Sequence, residues 1–299
     1  MQINVGITCY PTFGGSGVVA TELGKHLAER GHVVHFITYD VPSRLDGFRE
    51  NIYFHNVDVV PYPLFTYQPY SVALANKMAE VARYAHLDIL HVHYAVPHAT
   101  SAFLARTMIA PWCIKIVTTL HGTDITLVGS DPSYLPLTRF SIEQSDAVTA
   151  VSKWLRRQTI KHFHTKRLVE VVHNFVDPDR FAPPCNEELR RRLAPGDEPI
   201  LMHVSNFRPV KRTMDLLEIF TYLRMITDAK LILVGDGPDR ALMEGKARKS
   251  KYCEDIVFLG NYSEIEELLP CADVLLQPSA SPKLSLALGC SSTLAACLK

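Results

Sequence analysis

The 299-residue chain has no excess of charge of either sign: 31 Lys and Arg balance 31 Asp and Glu. A broad nucleic-acid or anionic-membrane surface is therefore not expected, and any anion site has to be local. Its seven cysteines, at 9, 113, 185, 253, 271, 290 and 297, form no C-x-x-C pair. Their scatter fits reduced thiols rather than a disulfide or zinc framework. The opening M-Q-I-N-V-G-I-T has neither a basic n-region nor a long apolar core, so no signal peptide is expected. No unbroken apolar run has membrane-spanning length. Residues 59–76 are uncharged, but three prolines and three tyrosines make them a loop entering a helix. The dinucleotide fingerprint G-x-G-x-x-G is absent, which speaks against a nicotinamide dehydrogenase. What remains is a cytoplasmic chain of about two domains, long enough to bury sizeable cores.

What is present alternates strand and helix. Residues 3–9 read as a buried strand and 11–17, P-T-F-G-G-S-G, as a turn. Val18, Val19, Leu23 and Leu27 then trace a helix face, and 32–38 is the next strand, the opening of a doubly wound α/β domain. The glycines let the backbone approach a ligand and helix N–H groups hold an anion; close packing alone would also use them. Further strands are expected at 52–60, 89–92, 114–119, 147–151 and 169–172. Helices are expected at 72–85 (inner face Leu74, Met78, Val81, Ala82), 98–108, 135–143 and 153–161. His91 and His93 are expected on opposite sides of their strand, and so not to share a metal. L-H-G-T-D at 120–124 stands at the C-terminal end of a predicted parallel strand, where open α/β sheets bind ligands. His121 can donate or accept near pH 7. Asp124 is placed to orient that imidazole or to cap the next segment; a plain loop histidine beside an N-capping Asp is the alternative.

Residues 177–198 are rich in proline and charge, and read as a linker between domains at 1–176 and 199–299. The second domain has expected strands at 199–204, 230–234, 256–259 and 274–277. Between the first of these and a helix carrying Met214, Leu217, Phe220 and Leu223 lies S-N-F-R-P-V-K-R, residues 205–212. Its cations Arg208, Lys211 and Arg212 crowd a helix N-terminus, which already carries roughly half a positive charge. An anion held there would explain them; a solvated basic turn is the other reading.

G-G-S-G, L-H-G-T-D, T-A-V-S (149–152), H-N-F-V-D (173–177), S-N-F-R-P-V-K-R and L-V-G-D-G-P (233–238) follow the order of a known family. The chain resembles the GT-B glycosyltransferases of family 4 over residues 2–278. The runs I-T-C-Y-P, F-G-G-S-G-V-V-A-T-E-L-G-K, H-V-H-Y-A-V-P-H-A and T-T-L-H-G-T-D-I-T are similar to members that glycosylate L-malate in bacillithiol biosynthesis. The resemblance implies two Rossmann-like doubly wound domains facing across a cleft, the second incomplete here. It implies retaining transfer of N-acetylglucosamine from UDP-N-acetylglucosamine to the malate hydroxyl. No cofactor, metal, nucleic acid or membrane is implied, and self-association is left open. By the same carry-over, Arg208 and Lys211 clamp the donor diphosphate, with Asn206 and Gly235 beside them. Gly15 and Ser16 line the cleft near phosphates and acceptor. Tyr94, Thr118 and Thr119 hold malate with Ser16, and His121 sits by the anomeric centre. A family-4 enzyme with another acceptor, such as a lipid-linked sugar, is the alternative.

After Pro278 the resemblance stops. The family's E-x-F-G-x-x-x-x-E is replaced by S-A-S-P-K-L-S-L-A-L-G-C-S-S-T-L-A-A-C-L-K, in which Lys283 and Lys299 are the only charges. A frameshifted or truncated product is expected, lacking donor-ribose contacts. Its four-stranded second sheet would expose an apolar edge. Weak or no activity and poor solubility are expected, down to a remnant that only binds ligand.

Overall fold

The structure, a computed structural model, describes residues 1–279 except 13, 46, 60–62, 65, 179, 182 and 183. The expected frameshifted tail, from 280 onward, lies outside the described residues. The chain divides into two units, Met1–Asn174 and Phe175–Lys299.

The first unit runs β1 (Asn4–Thr8), α1 (Gly15–Glu29), β2 (Val33–Thr38), β3 (Ile52–Asn56), α2 (Tyr70–Tyr84), β4 (Ile89–His93), α3 (Thr100–Met108), β5 (Lys115–Leu120), α4 (Leu135–Gln144), β6 (Ala147–Ala150), α5 (Lys153–Phe163) and β7 (Val169–Val171). Seven parallel strands lie in the order β3-β2-β1-β4-β5-β6-β7. The order reverses between β1 and β4, so the crevice between their C-terminal ends is the switch point where such sheets bind ligands. The central strands are V/I/L-rich runs buried on both faces, whereas the edge strand β3, I-Y-F-H-N, leaves Tyr53 and Phe54 exposed. Ile7, Val34, Phe36, Ile37, Leu90, Val92 and Leu120 are all fully buried.

α2 buries the face its spacing predicts: Leu74, Met78, Val81 and Ala82. α1 does not. Its valines and leucines at 18, 19, 23 and 27 are only partly buried, while Gly17, Ala20, Thr21, Gly24 and Ala28 face the sheet. A stripe of small residues lets this helix lie close; a side chain at Gly24 would collide with the Phe36 ring. Apolar spacing marked the neighbouring face because the residues that matter here are small rather than hydrophobic.

The second unit runs α6 (Glu187–Leu193), β8 (Ile200–Val204), α7 (Thr213–Leu223), β9 (Lys230–Val234), α8 (Arg240–Ala247), β10 (Ile256–Gly260), α9 (Ile265–Leu268) and β11 (Val274–Leu275). Its parallel strands are ordered β10-β9-β8-β11, with the switch point between β8 and β11. Leu216, Leu217 and Phe220 of α7 pack on Leu201, Leu231 and Leu233. The expected linker, 177–198, falls within this unit. Leu189 and Leu193 pack against Ile200, Ile232 and Leu268, Arg190 donates to the Cys271 carbonyl at 2.8 Å, and Cys185 Sγ lies 2.9 Å from Cys271 Sγ. A charged helix with an apolar edge can thus dock and still read as a linker. Among the described residues no helix is long and apolar enough to cross a membrane.

Candidate functional site

Each switch point carries one group of the expected residues. In the first unit, the turn after β1 delivers Gly15 and Ser16 to the start of α1. No acidic residue occupies that first turn, so its free N–H groups have no side-chain counter-charge. The Ser16 hydroxyl is 2.9 Å from the Tyr94 hydroxyl. Tyr94 follows β4 with φ +88°, a left-handed conformation costly for a residue with a Cβ, and its N–H donates to the Thr119 carbonyl at 3.0 Å. The ring sits 5.3 Å from Tyr10 and 5.3 Å from His121.

His121 is 6 % exposed. Burial, then the neighbouring imidazoles His91 and His98, push its pKa down to about 3, so the ring is neutral at pH 7. Asp124 does not orient that ring. Its Oδ1 accepts from the main-chain N–H groups of His121 (3.2 Å) and Gly122 (2.8 Å). The carboxylate therefore caps the turn it belongs to, ahead of a π-type turn at Asp124–Val128. Burial raises its pKa to about 6, against the lowering effect of those backbone bonds.

The two threonines part company. Successive residues of a strand face opposite ways. The Thr119 hydroxyl stands 2.8 Å from both His91 Nε2 and the Thr149 hydroxyl, on the histidine side. The Thr118 hydroxyl is fully buried on the other side, 2.8 Å from Ser145. Thr118 can thus reach a ligand in this pocket only through its main chain. The same period of two corrects the expectation for His91 and His93: residues two apart share a face, and their rings stack at 4.9 Å.

In the second unit, Ser205, Asn206 and Phe207 follow β8, and a single 3-10 turn, Pro209–Lys211, precedes α7. Asn206 and Arg208 are exposed and Lys211 is half-buried. Arg212 adopts φ +51° and pairs with Asp215. Among the described residues no carboxylate pairs with Arg208 or Lys211. Burial lowers the Lys211 pKa from its ordinary value. Gly235, at φ +119°, has its Cα against the Ser205 carbonyl, where any Cβ would collide, and its N–H donates to Gly260 at 2.7 Å. The loop after β9 is thereby pressed onto the basic turn after β8, and the Asp239 N–H donates to the Phe207 carbonyl at 3.0 Å.

The structure thus groups Ser16, Tyr94 and His121, with Thr119 one histidine away, and separately Asn206, Arg208, Lys211 and Gly235. Sequence reasoning set His93 on the far side of its strand from His91, and missed His98 and His203. His203 donates Nδ1–H to the Leu276 carbonyl (2.7 Å) and accepts the Ser205 hydroxyl at Nε2 (2.7 Å), which ties the turn to the strand across the switch point. A histidine inside an apolar strand, I-L-M-H-V, was the available signal.

Two parallel, doubly wound units, each with polar residues gathered at its switch point, are the architecture of the GT-B class of glycosyltransferase. Solved members superpose accordingly. Alr3699/HepE of Anabaena, in complex with UDP and glucose, matches with TM-score 0.76 at 16% identity over 94% of this chain and 75% of its own. A glycosyltransferase of Rickettsia africae matches with TM-score 0.70 at 20% identity, covering 94% and 74%. The family model Glycosyltransferase Family 4 matches residues 13–180, and Glycosyl transferases group 1 matches 186–289, past the Pro278 at which the motif resemblance ends. The chain belongs to glycosyltransferase family 4. It is 49% identical, over 96% of its length and 76% of the relative's, to the N-acetyl-alpha-D-glucosaminyl L-malate synthase of Bacillus anthracis.

Proposed function

We propose that this chain transfers N-acetylglucosamine from UDP-N-acetylglucosamine to the hydroxyl of L-malate, in the cytoplasm and with retention at the anomeric carbon. The observation that carries this reading is the pair Arg208 and Lys211, cations without a carboxylate partner among the described residues at the second switch point. UDP leaves with growing negative charge, and fixed cations at its diphosphate lower the barrier by about 3 kcal/mol each. Half-buried Lys211 holds its charge at a cost that an anion would offset. These cations take the charge that a divalent metal takes elsewhere, so no metal is called for.

For the acceptor, a dicarboxylate suits the Ser16 and Tyr94 hydroxyls beside the uncompensated start of α1. Thr119 backs this pocket, and Thr118 contributes main chain only. His121 lines the sugar side. The kinship with the Bacillus anthracis enzyme supports malate in particular. The test is to incubate the chain with both substrates, with and without EDTA, and to look for the glucosaminyl-malate mass. Equal product in both is expected. Product from another acceptor but not from malate overturns the acceptor, and no transfer from any UDP-sugar overturns the activity.

A further inference from the structure

Four imidazoles gather beneath the C-terminal edge of the first sheet, and the proposed reaction calls on one of them. His93 stands at their centre. Its ring lies 4.9 Å from that of His91 and 5.0 Å from that of His121, within 19° and 22° of parallel. Its Nδ1 is 2.8 Å from His121 Nε2, and its carbonyl accepts the Nδ1–H of His98 at 2.5 Å. It is 1 % exposed, so it meets no ligand arriving from solvent.

Burial holds His93, His98 and His121 below the ordinary histidine range, and repulsion from neighbouring imidazoles lowers His93 and His121 further, so all three are neutral at pH 7. A neutral imidazole has one N–H and one lone pair. One proton therefore serves the bond between His93 Nδ1 and His121 Nε2, and the two far nitrogens must take opposite roles. If His121 Nδ1 carries a proton, His93 Nε2 is a lone pair, and the reverse also holds. Those two far atoms are the buried ring nitrogens of the pair that have no partner among the described residues. Asp124 holds the main chain of His121 and leaves its ring alone, so the ring's orientation falls to His93.

We propose that His93 is a positioning residue: through Nδ1 it fixes the ring plane of His121 and decides its tautomer, and so whether the buried His121 Nδ1 carries a proton or a lone pair. This rests on the reading that places His121 in the transfer site.

Two variants of the full chain separate a hydrogen-bonding role from a packing role. His93→Asn keeps an amide near the position of Nδ1, and His93→Phe keeps the stacked ring without the bond. In 15N-histidine spectra the wild type should show His121 as a single tautomer with coupling across an N–H···N bond to His93. Asn should preserve the His121 tautomer, and Phe should shift its ring nitrogens. In transfer assays Phe should lower kcat about tenfold or more while KM for the sugar nucleotide stays within about twofold, and Asn should recover most of the loss. The proposal is overturned if the wild type lacks the coupling, if Phe leaves the His121 nitrogens in place, or if Phe turns over as fast as Asn. The wild-type spectrum decides the matter even if a variant does not fold. Failure of wild-type transfer counts against the functional reading alone, because the nitrogen spectra need no turnover.

Discussion

Acidification should destabilise the first unit between pH 7 and 4.5, and buried histidines should drive it. His91 and His98 are held at about 4 and His121 at about 3 by burial. In the unfolded chain each returns to its ordinary value. Between these limits the unfolded state binds more protons, so stability falls as pH drops through the window. At pH 4.5 each of these rings costs about 2 kcal/mol relative to pH 7, or about 6 kcal/mol for three. Asp124 works the other way. Its pKa is raised from 3.8 to about 6, so the folded state binds the extra proton and gains about 2 kcal/mol on the same descent. The net loss is about 4 kcal/mol, most of the stability of a marginal domain. His93, well below the ordinary 6.5, and His35, lowered to about 4, add to it. The second unit holds a single such ring, His203. Trp112 and Trp154 are the chain's two tryptophans and both lie in the first unit, so their fluorescence reports that unit alone. With a urea slope of about 2 kcal/mol per molar, the midpoint should fall by about 2 M. A midpoint that moves less than about 0.5 M across this range refutes the reasoning, since that slope makes it worth only about 1 kcal/mol.

Other outcomes follow from the second unit. Arg208→Ala and Lys211→Ala should each slow transfer by about a hundredfold with the fold intact, and a loss under tenfold contradicts the clamp. Lys211 has a lowered pKa when free, and a diphosphate should raise it. UDP affinity measured by calorimetry should therefore fall as pH climbs between those two values, and a flat profile would remove Lys211 from the contact. Gly235→Ala forces a Cβ into the Ser205 carbonyl at φ +119° and should weaken UDP binding and lower the second unit's melting temperature; unchanged values would show that the loop can shift aside.

Much of the scaffold is legible in the residues. All eleven expected strands form, most of them as apolar runs bounded by turn residues and buried on both faces of a parallel sheet; β3, β7 and β11 are only partly covered. The helix after 212 starts where Met214, Leu217, Phe220 and Leu223 predict it. Misreadings arose where the signal was not hydrophobic. The α1 interface is written in Gly and Ala, and helix 187–193 hides a docking edge among charges. Of the three cations on one turn, Arg212 is spent on Asp215, which residue order alone does not reveal. The histidine cluster needed only the period of two along β4, but His98 joins it through a turn that no periodicity describes. Thr118 and Thr119 are adjacent in sequence and opposite in space, so a motif that names both cannot say which hydroxyl faces the pocket.

The most direct measurement is a crystal structure of the chain with UDP bound. The diphosphate should lie within hydrogen-bond distance of the Arg208 guanidinium and the Lys211 ammonium, at the C-terminal end of β8. Phosphates bound elsewhere, with both side chains still unpaired, would contradict the account.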